Sequence, residues 1–244
     1  MPFVAHFWIV AWSLEAGKPH LAETLPHPSV HIVLERGASR VAGVYRSRFS
    51  RLLEGRGTAF GIKFLPGGFY PFVGWPVSRI TDRVLTLPEV LAGSDRVEAV
   101  VLGAAGSIDV ERIEVEPMIA AASAFLRARS PQPDSLAAET GEIVARISSD
   151  REIRKVDDLV GLLGSSTRQL QRLFSRYIGV SPKWVIQRYR LHEALQRIEE
   201  DHAVDWPQLA LDLGYSDQAH FIRAFKALVG RTPGAYADGL MDSL

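Results

Sequence analysis

The sequence predicts an α+β chain: a β-rich N-terminal barrel or sandwich over residues 1–112, helical linkers over 113–155 and an all-α module over 156–238. Three observations carry this. Short apolar or alternating runs broken by Gly and Pro fill the first 110 residues. Helical apolar spacing takes over near residue 114. In the last part, Leu163-Gly164-Ser165-Ser166-Thr167-Arg168-Gln169-Leu170-Gln171-Arg172-Leu173-Phe174 is echoed by Leu213-Gly214-Tyr215-Ser216-Asp217-Gln218-Ala219-His220-Phe221-Ile222-Arg223-Ala224-Phe225, and each copy runs five residues further to a glycine, Gly179 and Gly230. Each copy reads as a helix, a Gly-containing turn and a second helix, the layout that sets its second helix into a DNA major groove.

Strands are expected at Phe7 to Trp12, Val30 to Leu34, Ser39 to Tyr45, Ala59 to Phe64 and Val97 to Leu102, with Pro66-Gly67-Gly68 as a turn. From about 114 to 129, Met118, Ala121, Ala122, Phe125 and Leu126 fall on one helical face, and Pro117 suits the first turn. Arg129-Ser130-Pro131-Gln132-Pro133-Asp134 breaks that helix. A second runs from Ser135 to Ser149, with Leu136, Ile143, Val144 and Ile147 as its apolar members. These two helices are expected to join the domains and to help a homodimer form. Asp157 is placed to cap a helix to Leu163, and Ser166 the next, to about Ile178. Ser181-Pro182 opens a helix to about Glu200, whose Leu191, Ala194, Leu195 and Ile198 make a core stripe. Further helices start near Pro207 and Asp217.

Composition narrows the function classes. With no cysteine among 244 residues, disulfides, Cys-ligated zinc and thiol catalysis are excluded, and a reducing cytoplasmic compartment is expected. The apolar run Phe3 to Leu14 lacks the flanks of a signal peptide and is too short to span a bilayer, so no membrane association is expected. Basic and acidic residues balance at 28 each. From Asp157 onward ten Lys/Arg face eleven Asp/Glu, a formal charge of −1, where a strongly basic domain is the usual electrostatic footprint for nucleic acid. Local clustering offsets this: Arg168, Arg172, Arg176, Lys183, Arg188 and Arg190 surround the first unit, while acids collect from Glu199 to Asp205.

In the first reading helix Leu170, Leu173 and Phe174 share a face and Arg168, Gln171, Arg172 and Ser175 the opposite one. Arginine matches the O6/N7 edge of guanine and glutamine the N6/N7 edge of adenine, so that polar face suits direct readout of double-stranded DNA; the bland reading is a solvated face. In the second, Phe221, Ala224, Phe225 and Leu228 form the buried stripe, leaving Asp217, Gln218, Ala219, Ile222, Arg223 and Lys226 outside it, where Ile222 suits either a thymine methyl or packing on a neighbouring helix. Ser166, Arg176, Lys183 and Lys226 are the candidate phosphate contacts. The helix between the units has about 20 residues and a length of about 30 Å, close to the ~34 Å repeat of DNA, so both reading helices could enter successive major grooves.

In the β-rich part Trp8, Phe64 and Tyr70 with His31 and Arg46 are candidates for an effector pocket, against the alternative that the aromatic residues fill a barrel core. His27, His31 and Glu35 repeat every four residues, but Pro28 stands where the helical zinc-protease pattern needs Glu, so no metal is expected; a strand would still put His27 and His31 on one face. No phosphate loop with a GK[ST] ending and no nucleophile–base–orienter set is present. No cofactor or catalytic residue is therefore expected.

Leu170-x-x-Leu173-Phe174, Gly179-x-Ser181-Pro182, Arg190-Leu191-x-x-Ala194, Ala210-x-x-Leu213-Gly214-Tyr215-Ser216-Asp217-Gln218, His220-Phe221-x-x-x-Phe225-Lys226 and Gly230-x-Thr232-Pro233 together resemble the DNA-binding module of the AraC family of bacterial transcription regulators, over about Val156 to Tyr236. The resemblance implies base contacts by Arg168, Gln171 and Arg172 in one unit and by Gln218, Ala219, Ile222 and Arg223 in the other, although Ala219 lacks a polar head. Leu25 to Leu34 and Gly61 to Gly68 resemble the cupin-like barrel sensors that precede this module in part of the family. That implies a small-molecule effector, a dimerising role and action on the transcription machinery. Competing readings are a constitutive regulator whose barrel only dimerises and a cupin-like metal enzyme using His27 and His31.

Overall fold

The structure, a computed structural model, describes residues 2–105, 113–129, 131–200 and 204–241. The expected domain boundary at residue 112 and residues 201–203 of the acidic run lie outside the described residues. The chain divides into two compact units, Met1–Glu142 with Leu173–Val180, and Ile143–Arg172 with Ser181–Leu244.

The first unit holds strands β1 (Val4–Ser13), β2 (His20–Thr24), β3 (His31–Leu34), β4 (Arg40–Ala42), β5 (Phe49–Leu53), β6 (Arg56–Phe64) and β7 (Val84–Thr86). Five form an antiparallel sheet in the order β1-β6-β3-β4-β7, and β2 pairs with β5 in a second, two-stranded sheet. Period-two alternation gives the larger sheet two different faces. Register places Phe7 opposite Ile62 and Ile9 opposite Phe60, while Ile32 and Leu34 flank the same residues from β3. That face, with Phe64 and Val41, is the core of the unit. The other face carries His6, Trp8, Val10 and Trp12 of β1 against Lys63, Gly61, Ala59 and Gly57 of β6.

Helix α1 (Tyr70–Val73) precedes β7, helices α2 (Leu87–Val90), α3 (Val97–Gly103) and α4 (Val115–Arg127) follow it, and the last two cover the core face through Val97, Val101, Met118, Ala122 and Leu126. The strand expected at Val97 to Leu102 is therefore helix α3. Its buried residues are Val97, Val101 and Leu102, while Val100 is 57% exposed; helical periodicity prevails over the β-branched composition. Helix α5 (Ser135–Ser149) has its N-terminus capped by Asp134, which accepts from Ala137 N at 2.9 Å. The unit boundary falls inside α5, between Glu142 and Ile143.

The second unit is helical. Helix α6 (Val156–Leu163) starts where Asp158 accepts from Arg154 N and Lys155 N at 2.9 and 2.8 Å; the cap lies at Lys155 where Asp157 was expected. Helices α7 (Thr167–Tyr177), α8 (Pro182–Glu200), α9 (Trp206–Asp212), α10 (Gln218–Val229) and α11 (Pro233–Met241) follow. Helix α8 has 19 residues, a length of about 28 Å, and buries Val185, Ile186, Leu191, Ala194 and Ile198. Buried Arg190 binds the end of α5 to α8: its Nη2 donates to the carbonyls of Ile147 and Asp150 at 2.7 and 2.9 Å, and its Nη1 to Glu193 at 2.5 Å. Among the described residues no helix is long and apolar enough to cross a membrane.

Candidate nucleic-acid interface and barrel cavity

The duplicated sequence folds twice into the same local geometry. Gly164 after α6 and Gly214 after α9 both adopt left-handed backbone, with φ of 59° and 81°, which lets the chain reverse before the next helix. At Gly214 a β-carbon would also stand 2.9 Å from the Arg154 side chain. Helix α7 then opens on a capping box: Ser166 N donates to Gln169 Oε1 at 2.8 Å and Gln169 N donates to Ser166 Oγ at 3.3 Å. Helix α10 opens on Asp217, whose carboxylate accepts from His220 N at 2.7 Å. That bond, with help from Ser216, holds the Asp217 carboxyl below its usual range.

Helical spacing then sorts the side chains. Leu170 and Phe174 of α7 are buried, and Arg168, Gln171, Arg172 and Ser175 are exposed together on its outer face. In α10, Phe221 and Phe225 are buried and stack edge to face at 5.7 Å. Ala219, Arg223 and Lys226 are exposed, and Gln218 and Ile222 are half-buried. Ser166 and Lys183, at the N-terminal ends of α7 and α8, are both exposed.

Two basic residues of the expected cluster are turned inward. Arg188 and Arg190 are 1% and 2% exposed, so neither can meet a phosphate. Burial lowers the Arg188 guanidinium to about 10, and the group lies 4.6 Å from the Trp184 ring. Arg176, a candidate phosphate contact, is exposed and also donates through Nε to the Tyr70 hydroxyl at 2.9 Å, a bond that its Nη2 reinforces. The sequence showed six basic residues near one helix but not that α8 turns two of them inward.

The effector candidates separate by strand parity. Trp8 and His31 line a cavity of about 450 Å³ between the second face of the large sheet and the β2–β5 pair. Phe64 is two residues from Ile62 and so points into the core, where it packs edge to face on Phe69 at 5.0 Å. Tyr70 is likewise a core residue, 4.5 Å from the Tyr177 ring. Arg46 pairs with Asp82 at 2.5 Å and does not line the cavity. Lys63, Tyr45, Phe49, Arg40 and Arg51 do line it and were not singled out. The signal was available for Lys63: in β6 the odd positions Gly57, Ala59, Gly61 and Lys63 alternate with Thr58, Phe60, Ile62 and Phe64, so small residues and one lysine share a face.

Within the cavity Trp8 Nε1 donates to His31 Nδ1 at 3.2 Å. The acceptor nitrogen carries no proton, so His31 is neutral with its hydrogen on Nε2. Burial lowers its pKa to about 4, helped by the positive charge of Lys63 and by His6 and His27. Burial also lowers the Lys63 ammonium. Glu35 is opposed by its own burial but held below the usual carboxylate range by hydrogen bonds from Arg51 and Arg40. Arg51 Nη1 and Arg40 Nη1 reach it at 2.6 and 2.9 Å. With His31 Nδ1 taken by Trp8 and Glu35 taken by two arginines, the spaced His27, His31 and Glu35 do not converge on a cation; among the described residues no such group of three is placed to hold a metal.

Two separate stretches of the chain match known families. Residues 159–239 match the family model described as a helix-turn-helix domain, and residues 1–86 match a domain of unknown function (DUF6597). The HTH-type transcriptional regulator GlxA of Rhizobium meliloti (strain 1021) is 36% identical over 74 residues, 30% of this chain. The match spans about a fifth of that regulator's length, 22%. Two solved structures of ToxT from Vibrio cholerae are similar over 95% of this chain. One is an apo form, with a TM-score of 0.45, 14% identity and 96% of its chain covered. The other has a TM-score of 0.42, 12% identity and 97% of its chain covered.

Proposed function

We propose, from the premise that residues 159–239 are a helix-turn-helix domain of the AraC type, that the chain is a sequence-specific transcription regulator of the cytoplasm whose DNA affinity responds to a small molecule in the barrel cavity. The observation that supports DNA readout best is the repeated local geometry: two capped helices, each behind a left-handed glycine, each with a buried apolar stripe and an outer face of exposed side chains. Arg168, Gln171 and Arg172 would read base edges, with Ser175 beside them. Gln218, Ala219, Ile222 and Arg223 would occupy the equivalent places in the second unit, and Ser166, Arg176, Lys183 and Lys226 would meet phosphates. The cavity of about 450 Å³ favours a sensing barrel over one that only dimerises, because a purely dimerising barrel needs no such volume. A ligand bound there acts only by preferring one of two arrangements of the chain.

Selection of bound sequences from a random duplex pool tests the readout. The full chain should enrich a two-part motif with halves about one helical turn apart, and Arg168→Ala/Arg172→Ala should lose one half while keeping the other. A motif that the double variant leaves intact would remove these residues from the interface. No enrichment, with or without a ligand panel, would remove DNA reading from the chain.

A further inference from the structure

We propose that the barrel cavity takes a carboxylate with an apolar body, its head group seated on the row His6–Lys63–His31. This rests on the reading of the cavity as an effector site and names the class of ligand. Register defines the row: Lys63 of β6 is the cross-strand partner of His31 on β3, and His6 of β1 pairs with Lys63 from the other side. All three line the cavity from one face of the sheet.

Charge decides the sign of the head group. Among the described residues the carboxylates nearest the cavity are engaged: Glu23 with Arg48 at 2.9 Å, and Glu35 with both Arg40 and Arg51. Lys63 has no carboxylate within ion-pair distance among the described residues, although its ammonium is partly removed from water. A half-buried, uncompensated ammonium is costly unless something anionic meets it. Beside it His31 is fixed by Trp8 in the tautomer that donates from Nε2. An ammonium and a neutral N–H donor side by side suit the two oxygens of a carboxylate.

The rest of the wall decides the body. The next rows of the sheet are Trp8 against Gly61 and Trp12 against Gly57, and at both glycines a β-carbon would collide with the indole. Each indole therefore lies against bare backbone, which only glycine permits. Two flat indole faces, with Val33 and Phe49 also on the wall, offer apolar area to a ring or a chain.

Isothermal titration of the full chain with matched acids and alcohols tests this: 2-naphthylacetate against 2-naphthylethanol, and octanoate against 1-octanol. At least one acid should bind about tenfold or more tightly than its alcohol. Lys63→Met should lower that acid's affinity about tenfold or more and leave the alcohol's within about twofold; Lys63→Arg should retain most of the acid's affinity. Equal binding of acid and alcohol, or an acid indifferent to Lys63→Met, overturns the head-group seat while the effector reading stands. Binding by none of the four overturns the proposal. The effector reading fails separately, if no ligand of a broad panel changes DNA affinity.

Discussion

His31 sits at the point where local chemistry is most sharply set. Its folded pKa of about 4 lies below the value of 6.5 it has when unfolded, so the unfolded chain binds more protons between those two pH values. The stabilisation from keeping this ring neutral is complete above pH 6.5 and is lost as the pH falls toward 4, at up to about 1.4 kcal/mol per pH unit. Chemical denaturation at a series of pH values should therefore show the native chain losing stability across that window more steeply than His31→Gln, whose amide can still accept from Trp8. Parallel curves for the two proteins would mean that burial of His31 is not coupled to its ionisation. The same ring shows why the cavity was half legible in the sequence: His31 and Trp8 stood out by type, whereas Lys63 acquires its meaning only from which face of β6 it occupies.

At the scale of elements, the reading helices were the most legible part of the chain. Their caps, glycine turns and apolar stripes all lie within a dozen residues and occur twice, so one copy supports the other. Strands β2 and β5 were not, because His20-Leu21-Ala22-Glu23-Thr24 and Phe49-Ser50-Arg51-Leu52-Leu53 have little β-branched content, and their Leu21 and Leu52 face outward. The inward turn of Arg190 was also invisible, since its partners Ile147 and Asp150 are carbonyls some 40 residues away. Removing that guanidinium would leave two buried or half-buried carbonyls bare at the end of α5. Arg190→Met should cost roughly 2–4 kcal/mol in urea unfolding. Arg197→Met, which removes a more exposed partner of the same Glu193, should cost under about 1 kcal/mol. Equal costs would show that Arg190 does not latch α5 to α8.

For the whole molecule, electrostatics and binding are set by which charges remain outside. With Arg188 and Arg190 buried, the exposed basic side chains on α7, α10 and the start of α8 are Arg168, Arg172, Arg176, Lys183, Arg223 and Lys226, of which Arg176 also donates to Tyr70. Six phosphate contacts at most correspond to a slope of about −5.4 in log affinity against log salt. Filter binding or anisotropy on the selected duplex should give a slope no steeper than that; one near about −10 would require a basic surface this module does not have. Nonspecific affinity should accordingly be low, and recognition should depend on base edges more than on the phosphate backbone. A different consequence follows from the two indoles bedded on Gly61 and Gly57. Because Trp8 and Trp12 form part of the cavity wall, and Trp8 is hydrogen-bonded to a ring that borders it, any molecule that enters must alter the polarity around these two fluorophores. The chain thus carries its own optical gauge of occupancy, legible as a shift in ultraviolet emission with no label attached.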